Sequence, residues 1–554
     1  MAQKKGSEIL RDILLHYGVE YVYGIPGATE IWFMDVLEKT PGIQYILSLN
    51  EITCVGMAEG YARTKGKPAV LNLHTGPGMA AAMPMLVNCK NGHVPMVITV
   101  GQNDSRFLQN DPQLSGDIVG MGKTIAKYAT EIHHVEDLPT VLHRAFKMAM
   151  QPPMGPVVVS IPGNLLAETM DYEPRDNQWP DTRSRGDRAA VEKAAQLIRQ
   201  AKNPVMLVQE GVAISGAEAE TVRLAELMGA RVYQIWMGDV NFPVQHPLYC
   251  GDFDSTGPMA ADILGRADLL VGIGCQLFND AFYSGRRVVS PQLKIVHISD
   301  DPWEVGKNFA TDAGIVGDPK TVCAELCALL EGDAALAAGA RERTAAIQAE
   351  TDAKKAALAQ KIAAEAGHEP IAVSHLMNTI KSVIPEDTLI LDDCWSSSGL
   401  LRSILDLKQP GSLCRPRNGG SIGFGPAGAL GMKQAAPDRP VLAVCGDGST
   451  AWGMQAFWTA AHYKIPVTYI VTNNAVYRQV KCVRKIFMGD YPLNEKHLGM
   501  ELDDPVIDFV QLAQSMGVAG RKVRKPEELA QAIREGMASG VPNLIEVYME
   551  NAPV

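Results

Sequence analysis

Apolar residues at Ile9, Leu10, Ile13, Leu14 and Tyr17 fall on one helical face, with Ser7 able to cap the start and Gly18 placed to stop it. Tyr21-Val22-Tyr23 then reads as a short strand, broken by Gly24-Ile25-Pro26-Gly27. Continuous apolar runs follow at Ile46–Leu49, Ala69–Leu73, Met96–Val100 and Val157–Ile161, each separated from the next by a helical pattern. β-Branched runs without polar alternation predict parallel strands buried on both faces. The same rhythm returns twice. One set is Val205–Val208, Arg231–Tyr233, Leu269–Ile273 and Ile295–Ile298; the other is Leu389–Leu391, Val441–Val444, Val467–Val471 and Leu544–Val547. Between the blocks, residues 170–187 are polar and proline-containing, as in a linker. Residues 334–366 are rich in Ala, Glu and Lys without a strong apolar stripe, as in an exposed helical connector. The expected fold is α/β, with three doubly wound parallel-sheet domains: 1–170, 188–333 and, after a connector at 334–369, 370–554.

The length of 554 residues suits about three domains. Charge adds an exclusion: Lys+Arg 51 against Asp+Glu 62 gives a net −11, which argues against a nucleic-acid-coating protein or a binder of anionic membranes. The 10 cysteines are scattered and mostly sit in apolar runs, as small buried hydrophobes of a reducing compartment. Cys323 and Cys327 share a helix face, with no His or Cys cluster nearby to make a zinc site. No run approaches the ~20 apolar residues of a membrane span, and Met1–Ser7 leads into no apolar targeting stretch. A cytoplasmic protein is expected.

The chemistry concentrates in the third block. The strand ending at Cys445 runs into Gly446-Asp447-Gly448-Ser449-Thr450, and the next strand ends in Asn473-Asn474. Asp447 and Asn474, 27 residues apart, would both lie at the carboxyl edge of a parallel sheet, where such sheets bind ligands. A carboxylate and an amide oxygen suit a hard cation that keeps phosphate oxygens in its shell, which points to Mg²⁺. Gly446 and Gly448 allow backbone to approach a phosphate, and a helix starting near Ser449 offers N–H donors. Taken alone, the same turn could simply be a strand end with Asp as helix cap.

The paired elements resemble the cofactor motif of the thiamin diphosphate (ThDP)-dependent decarboxylase and carboligase superfamily, and the resemblance runs along the whole chain. It implies pyrimidine-binding, central and diphosphate-binding domains in that order, with ThDP and Mg²⁺ as cofactors. It implies that Asp447, Asn474 and the Val476 carbonyl hold the metal, and that Ser396, Ser397, Gly446, Gly448, Ser449 and Tyr477 meet the diphosphate. Within Gly419-Gly420-Ser421-Ile422-Gly423-Phe424, the Gly420 carbonyl would accept from the 4′-amine and Ile422 would wedge the cofactor bent. The family's glutamate, which drives the imino tautomer that deprotonates the thiazolium C2, matches Glu51; that role needs a desolvated carboxylate. The closest likeness within the superfamily is to the benzoylformate decarboxylases. It rests on Gly24–Glu30, Asn72–Gly78, Val100-Gly101-Gln102 and Trp458–Ala461. It makes His74 an acid/base candidate and places Ala28 and Gln102 in the substrate pocket.

The departures bear on the reaction. Ala28 stands where that family has a serine that contacts the substrate carboxylate, so a donor is missing. The second catalytic histidine has no match in Gln276–Tyr283. His133-His134 reads as a structural pair on a surface strand. Arg478, Lys481 and Lys485 share a helix face, which is a solvated basic face or, alternatively, a site for an anionic substrate or a coenzyme A phosphate. The implied substrate is a small 2-oxo acid, aldehyde or acyl-CoA. The alternatives are a 2-hydroxyacyl-CoA lyase, an acetolactate-synthase-like carboligase or, against the presence of Glu51, a non-catalytic ThDP-binding subunit. FAD is not expected, for want of a motif in the central block. Neither nucleic acid nor membrane is an expected partner, and the family implies a homodimer or homotetramer.

Overall fold

Each αβ block closes as a six-stranded sheet whose strands all pair in parallel. The computed structural model describes residues 2–550 apart from 175–178, 257, 280, 281, 284, 286, 287, 408–410, 490 and 491. In the N-terminal sheet the order is Gln44–Leu47, Tyr21–Gly24, Ala69–Leu73, Met96–Gln102, Pro156–Pro162, Tyr128–Glu131. The central sheet runs Tyr249–Phe253, Arg231–Ile235, Pro204–Val208, Leu269–Ile273, Lys294–Ser299, Ala313–Val316. The C-terminal sheet runs Leu413–Cys414, Leu389–Asp393, Val441–Gly446, Thr468–Asn473, Asn543–Tyr548, Ala519–Val523. In each, the chain starts inside the sheet, steps one way and then crosses to the other side, leaving a switch point at the carboxyl edge.

Two seams join the blocks. The helices Glu51–Lys65 and Phe424–Ala435 pack almost backbone to backbone: a Cβ on Gly60 would lie 2.1 Å from the Gly428 carbonyl oxygen, and one on Gly431 would lie 1.9 Å from that of Met57. At the meeting of all three blocks, Arg63 donates to Glu59 at 2.7 Å, to the Arg415 carbonyl at 2.7 Å and to Asp239 at 2.5 Å. Arg417 donates to the other Asp239 oxygen at 2.7 Å. These groups are buried, so each charge depends on its partners to offset desolvation.

Several local expectations are corrected. Ser7 does not cap the first helix, which begins at Gly6; the Lys5 N–H donates to Glu8 at 2.7 Å, and Ser7 is buried within the first turn. The strand Ala2–Lys5 pairs antiparallel with Thr169–Tyr172, so regular structure extends three residues into the expected linker, whose residues 175–178 lie outside the described ones. The connector is one helix, Ala334–Glu365, and it is not simply exposed: Leu336, Ala340 and Ile347 are buried, and Arg343 donates to the Met228 carbonyl. Strands Tyr249–Phe253, Ala313–Val316, Leu413–Cys414 and Ala519–Val523 escaped the sequence pattern because they are short, edge-proximal or polar in part. Among the described residues no helix is long and apolar enough to cross a membrane.

Candidate active site

The C-terminal switch point lies between Leu389–Asp393 and Val441–Gly446, and the loops leaving these strands open around a cavity of about 520 Å³. Asp393, Ser396, Gly420, Ile422, Gly446, Asp447, Gly448, Ser449, Asn474, Val476 and Tyr477 all line it. The neighbouring strands pair with Gly446 opposite Thr472, which carries Asp447 and Asn474 to the same edge. The helix after the turn starts at Asp447, two residues earlier than expected. Ser397 lies behind the wall: it is buried, and its N–H donates to the Cys394 carbonyl.

Asp447 is 5% exposed. One of its oxygens accepts from the Gly448 N–H at 2.7 Å and the other from the Asn474 N–H at 3.1 Å. Burial pushes its carboxyl up to about 6, against the pull of these N–H donors. Among the described residues no salt bridge reaches it. A desolvated carboxylate sharing its cavity wall with Asn474 and Val476, and paired with no lysine or arginine among the described residues, is a donor set that fits Mg²⁺. The cradle fits a diphosphate in turn. Gly448 must be glycine, since a Cβ there would meet the Tyr477 ring at 2.5 Å, and Gly420 takes a left-handed φ of +74°. The loop bearing Gly420 is gripped from the N-terminal domain, where Asn88 donates to the Ser421 carbonyl at 3.1 Å and accepts from its N–H at 3.0 Å.

The N-terminal residues gather elsewhere. Glu51 is the first residue of its helix and is half-buried, with Asn50 capping the turn. His74 follows strand Ala69–Leu73 at that domain's own switch point. Its Nδ1 lies 2.8 Å from Glu30 Oε2 and 3.2 Å from the Thr29 hydroxyl. Glu30 is 1% exposed and also accepts from the Gly27 N–H at 2.8 Å. Two glycines make room for this pair: a Cβ on Gly27 would strike the His74 ring at 2.3 Å, and one on Gly101 would strike Glu30 Oε1 at 1.7 Å. Ala28 is exposed beside them, while Gln102 is buried and donates to the Gly116 carbonyl at 3.1 Å. None of Glu51, His74, Ala28 and Gln102 lines the C-terminal cavity.

Sequence reasoning missed Glu30 and Asp393. Glu30 is one carboxylate inside a longer run and Asp393 directly follows Asp392 at a strand end, with no spacing that marks either. The expected basic face is corrected: Arg478 and Lys481 are 3% and 1% exposed. They turn inward to donate to the Leu493 carbonyl at 3.1 Å and the Glu495 carbonyl at 2.8 Å, and Lys481 pairs with Glu501 at 2.8 Å. Only Lys485 of the three is exposed. His133 and His134 are exposed just beyond the edge strand Tyr128–Glu131. Of the segment Gln276–Tyr283, Asp280 and Ala281 lie outside the described residues.

Three family models match the chain in order: the thiamine pyrophosphate enzyme N-terminal TPP binding domain over 4–121, the central domain over 191–326 and the C-terminal TPP binding domain over 396–547. A probable acetolactate synthase large subunit from Methanocaldococcus jannaschii is 29% identical, over 99% of this chain and 92% of its own length. A benzoylformate decarboxylase from Pseudomonas aeruginosa is 28% identical, over 97% of each chain. Among solved structures, a 4-hydroxybenzoylformate decarboxylase from Rhodococcus jostii superposes with a TM-score of 0.85 at 26% identity, covering 100% of both chains. The benzoylformate decarboxylase of Polynucleobacter necessarius gives 0.86 at 25% identity, covering 100% of this chain and 99% of its own. With the metal-fitting carboxylate, the diphosphate cradle and all three domains in order, the chain belongs to the thiamine pyrophosphate-dependent enzymes, in the branch of decarboxylases and carboligases.

Proposed function

We propose that this enzyme makes or breaks a carbon–carbon bond next to the carbonyl of a small 2-oxo acid or aldehyde, and that it favours aldehyde ligation or lysis over decarboxylation. The observation that carries the reading is the open C-terminal switch point, where Asp447, Asn474 and the Val476 carbonyl would hold Mg²⁺ and the Gly446–Ser449 turn with Tyr477 would hold the diphosphate. ThDP, when bound, supplies a nucleophilic carbon and an electron sink. The chain's own residues do the rest. Gly420 and Ile422 orient the ring system from one wall. Glu51 would take and return a proton at the pyrimidine nitrogen. His74, with Nδ1 held by Glu30, presents its other ring nitrogen as the acid/base for substrate.

Glu51, His74, Ala28 and Gln102 sit apart from the cavity, which supports a homodimer or homotetramer in which a second copy brings its N-terminal edge to the cofactor. The missing donor at Ala28 supports the preference against decarboxylation, since a substrate carboxylate there loses a charge-assisted hydrogen bond. The inward turn of Arg478 and Lys481 removes the local reason to expect a coenzyme A phosphate. The test is kcat/KM for benzoylformate decarboxylation and for benzaldehyde ligation, with ThDP and Mg²⁺, in wild type and Ala28→Ser. The serine should raise the decarboxylation-to-ligation ratio by about tenfold, from a bond worth ~1–3 kcal/mol. Efficient wild-type decarboxylation that serine leaves unchanged would reject the preference, and no turnover of any 2-oxo acid or aldehyde would reject the reading itself.

A further inference from the structure

We propose that Asp393 is the positioning residue of the cofactor cradle, fixing two separate loops around the cavity through one buried carboxylate; this rests on the ThDP reading above. Asp393 ends strand Leu389–Asp393, opposite Cys445 in the register, and is 1% exposed. Its Oδ1 accepts from the Trp395 indole N–H at 2.9 Å, which holds the loop carrying Ser396. Its Oδ2 accepts from the Gly425 N–H at 2.9 Å, which holds the end of the segment carrying Gly420 and Ile422. Ser449, in the turn carrying Asp447, helps hold the charge on this carboxylate. The approach is close by construction: a Cβ on Gly425 would come within 2.8 Å of the Asp393 Cβ. Two stretches distant from each other in sequence, each lining the same cavity, therefore meet at one side chain.

A carboxylate suits this place because it only accepts. Each oxygen takes a donor from a different loop, and these bonds favour the ionised form against the desolvation that raises the carboxyl. Asparagine has nearly the same shape, but one of its ends is an NH₂, so either the Trp395 or the Gly425 donor would face another donor. Asp393→Asn should thus release one loop while the sheet stays packed. The expected signature is a cradle that has lost its fixed arrangement: weaker binding of ThDP, overcome by excess cofactor.

The experiment titrates ThDP into apoprotein in Mg²⁺ by calorimetry, beside the apoprotein Tm and kcat at saturating ThDP, for wild type, Asp393→Asn, Trp395→Phe and the double variant. Asp393→Asn should raise the ThDP Kd at least about tenfold, a larger change in Kd than in kcat at saturation. Trp395→Phe, which removes a single donor, should raise Kd about threefold, and the double variant should fall short of the product of the two. A lowered apoprotein Tm with unchanged Kd would mean a structural acid only and would overturn the proposal. So would fully multiplicative effects. If Asp393→Asn fails to fold, an unchanged Kd in Trp395→Phe overturns the proposal and a raised one supports it. Absence of ThDP binding by wild type would instead overturn the functional reading beneath it.

Discussion

The central and C-terminal sheets share a strand plan, and their switch points meet opposite ends. In the C-terminal sheet the two loops part around about 520 Å³. In the central sheet the loops after Pro204–Val208 and Leu269–Ile273 are bonded to each other: Gly211 N–H donates to the Gly274 carbonyl at 2.9 Å, and Gln276 N–H donates to the Gln209 side chain at 2.9 Å. About 30 Å³ remains, lined in part by Glu210, Asp300, Asp301 and Glu304, which is water-sized and repels phosphate. One fold thus offers two crevices at equivalent places, and only the loop residues decide which accepts a ligand. An acidic residue also means different things in the two. Asp447 is a carboxylate met by the Gly448 and Asn474 N–H groups on the wall of an open cavity, while Glu210 supports structure by accepting from the Asp239 N–H at 3.2 Å.

The largest expected effect tests that contrast directly. Asp447→Ala should cut ThDP retention in Mg²⁺ by at least about a hundredfold, because it removes an oxygen ligand from an ion that tolerates little distortion. Glu210→Gln should leave retention within twofold. Equilibrium dialysis with both variants checks this, and equal losses would erase the distinction between the crevices. Glu51→Gln comes next. It should keep ThDP binding and lower kcat by about a hundredfold or more, since the amide cannot exchange a proton with the ring nitrogen. Single-turnover kinetics on the loaded variant measures it, and near-wild-type turnover would dismiss the residue.

These tests also mark how far the sequence could be read. The buried parallel strands were legible because short β-branched runs such as Met96–Val100, without polar alternation, are the pattern of strands covered on both faces. Asp447 and Asn474 were legible because each is contiguous with its strand end and both fall at one sheet edge. Glu30 and Asp393 were not, because a key partner of each lies 44 or 32 residues away, His74 for Glu30 and the Gly425 N–H for Asp393, and a backbone N–H is one any residue could supply. The basic helix was misread for a related reason. Periodicity placed Arg478, Lys481 and Lys485 on one face, but the loop carrying Leu493, Glu495 and Glu501 folds over it, and its carbonyls capture the first two cations. Tertiary capture of this kind leaves no periodic trace.

A smaller effect isolates the closure of the central crevice. A Cβ on Gly211 would sit 2.5 Å from the Gly274 Cα, so Gly211→Ala must push two backbones apart. A cost of ~1–3 kcal/mol follows from such overpacking. It should appear as a lowered Tm with ThDP affinity unchanged, because the C-terminal cavity shares neither loop. A parallel fall in ThDP affinity would show that the two crevices are mechanically linked.

The smallest effect concerns charge at the same central edge. Burial, with Asp301 and Asp318 nearby, pushes the Asp300 carboxyl up to about 6 from an ordinary 3.8, while Lys127 pulls the other way. A carboxyl with a raised folded pKa binds its proton more tightly folded than unfolded. Its contribution is neutral below pH 4, turns against folding as pH rises, and is fully unfavourable above about 6. Asp300→Asn removes that liability. Because the group keeps partial contact with solvent, the gain should be ~1 kcal/mol rather than the full value of the shift. It should be present at pH 8, shrink through pH 5 and vanish near pH 4. Urea unfolding of the apoprotein at these pH values measures it. The corresponding change at the C-terminal edge has a different outcome: Asp447→Asn should also relieve an unfavourable buried charge in the apoprotein, yet lose the advantage once Mg²⁺ and ThDP are added. A stabilisation by Asp300→Asn that is constant across pH would come from packing, and the electrostatic difference between the two edges would then have to be abandoned.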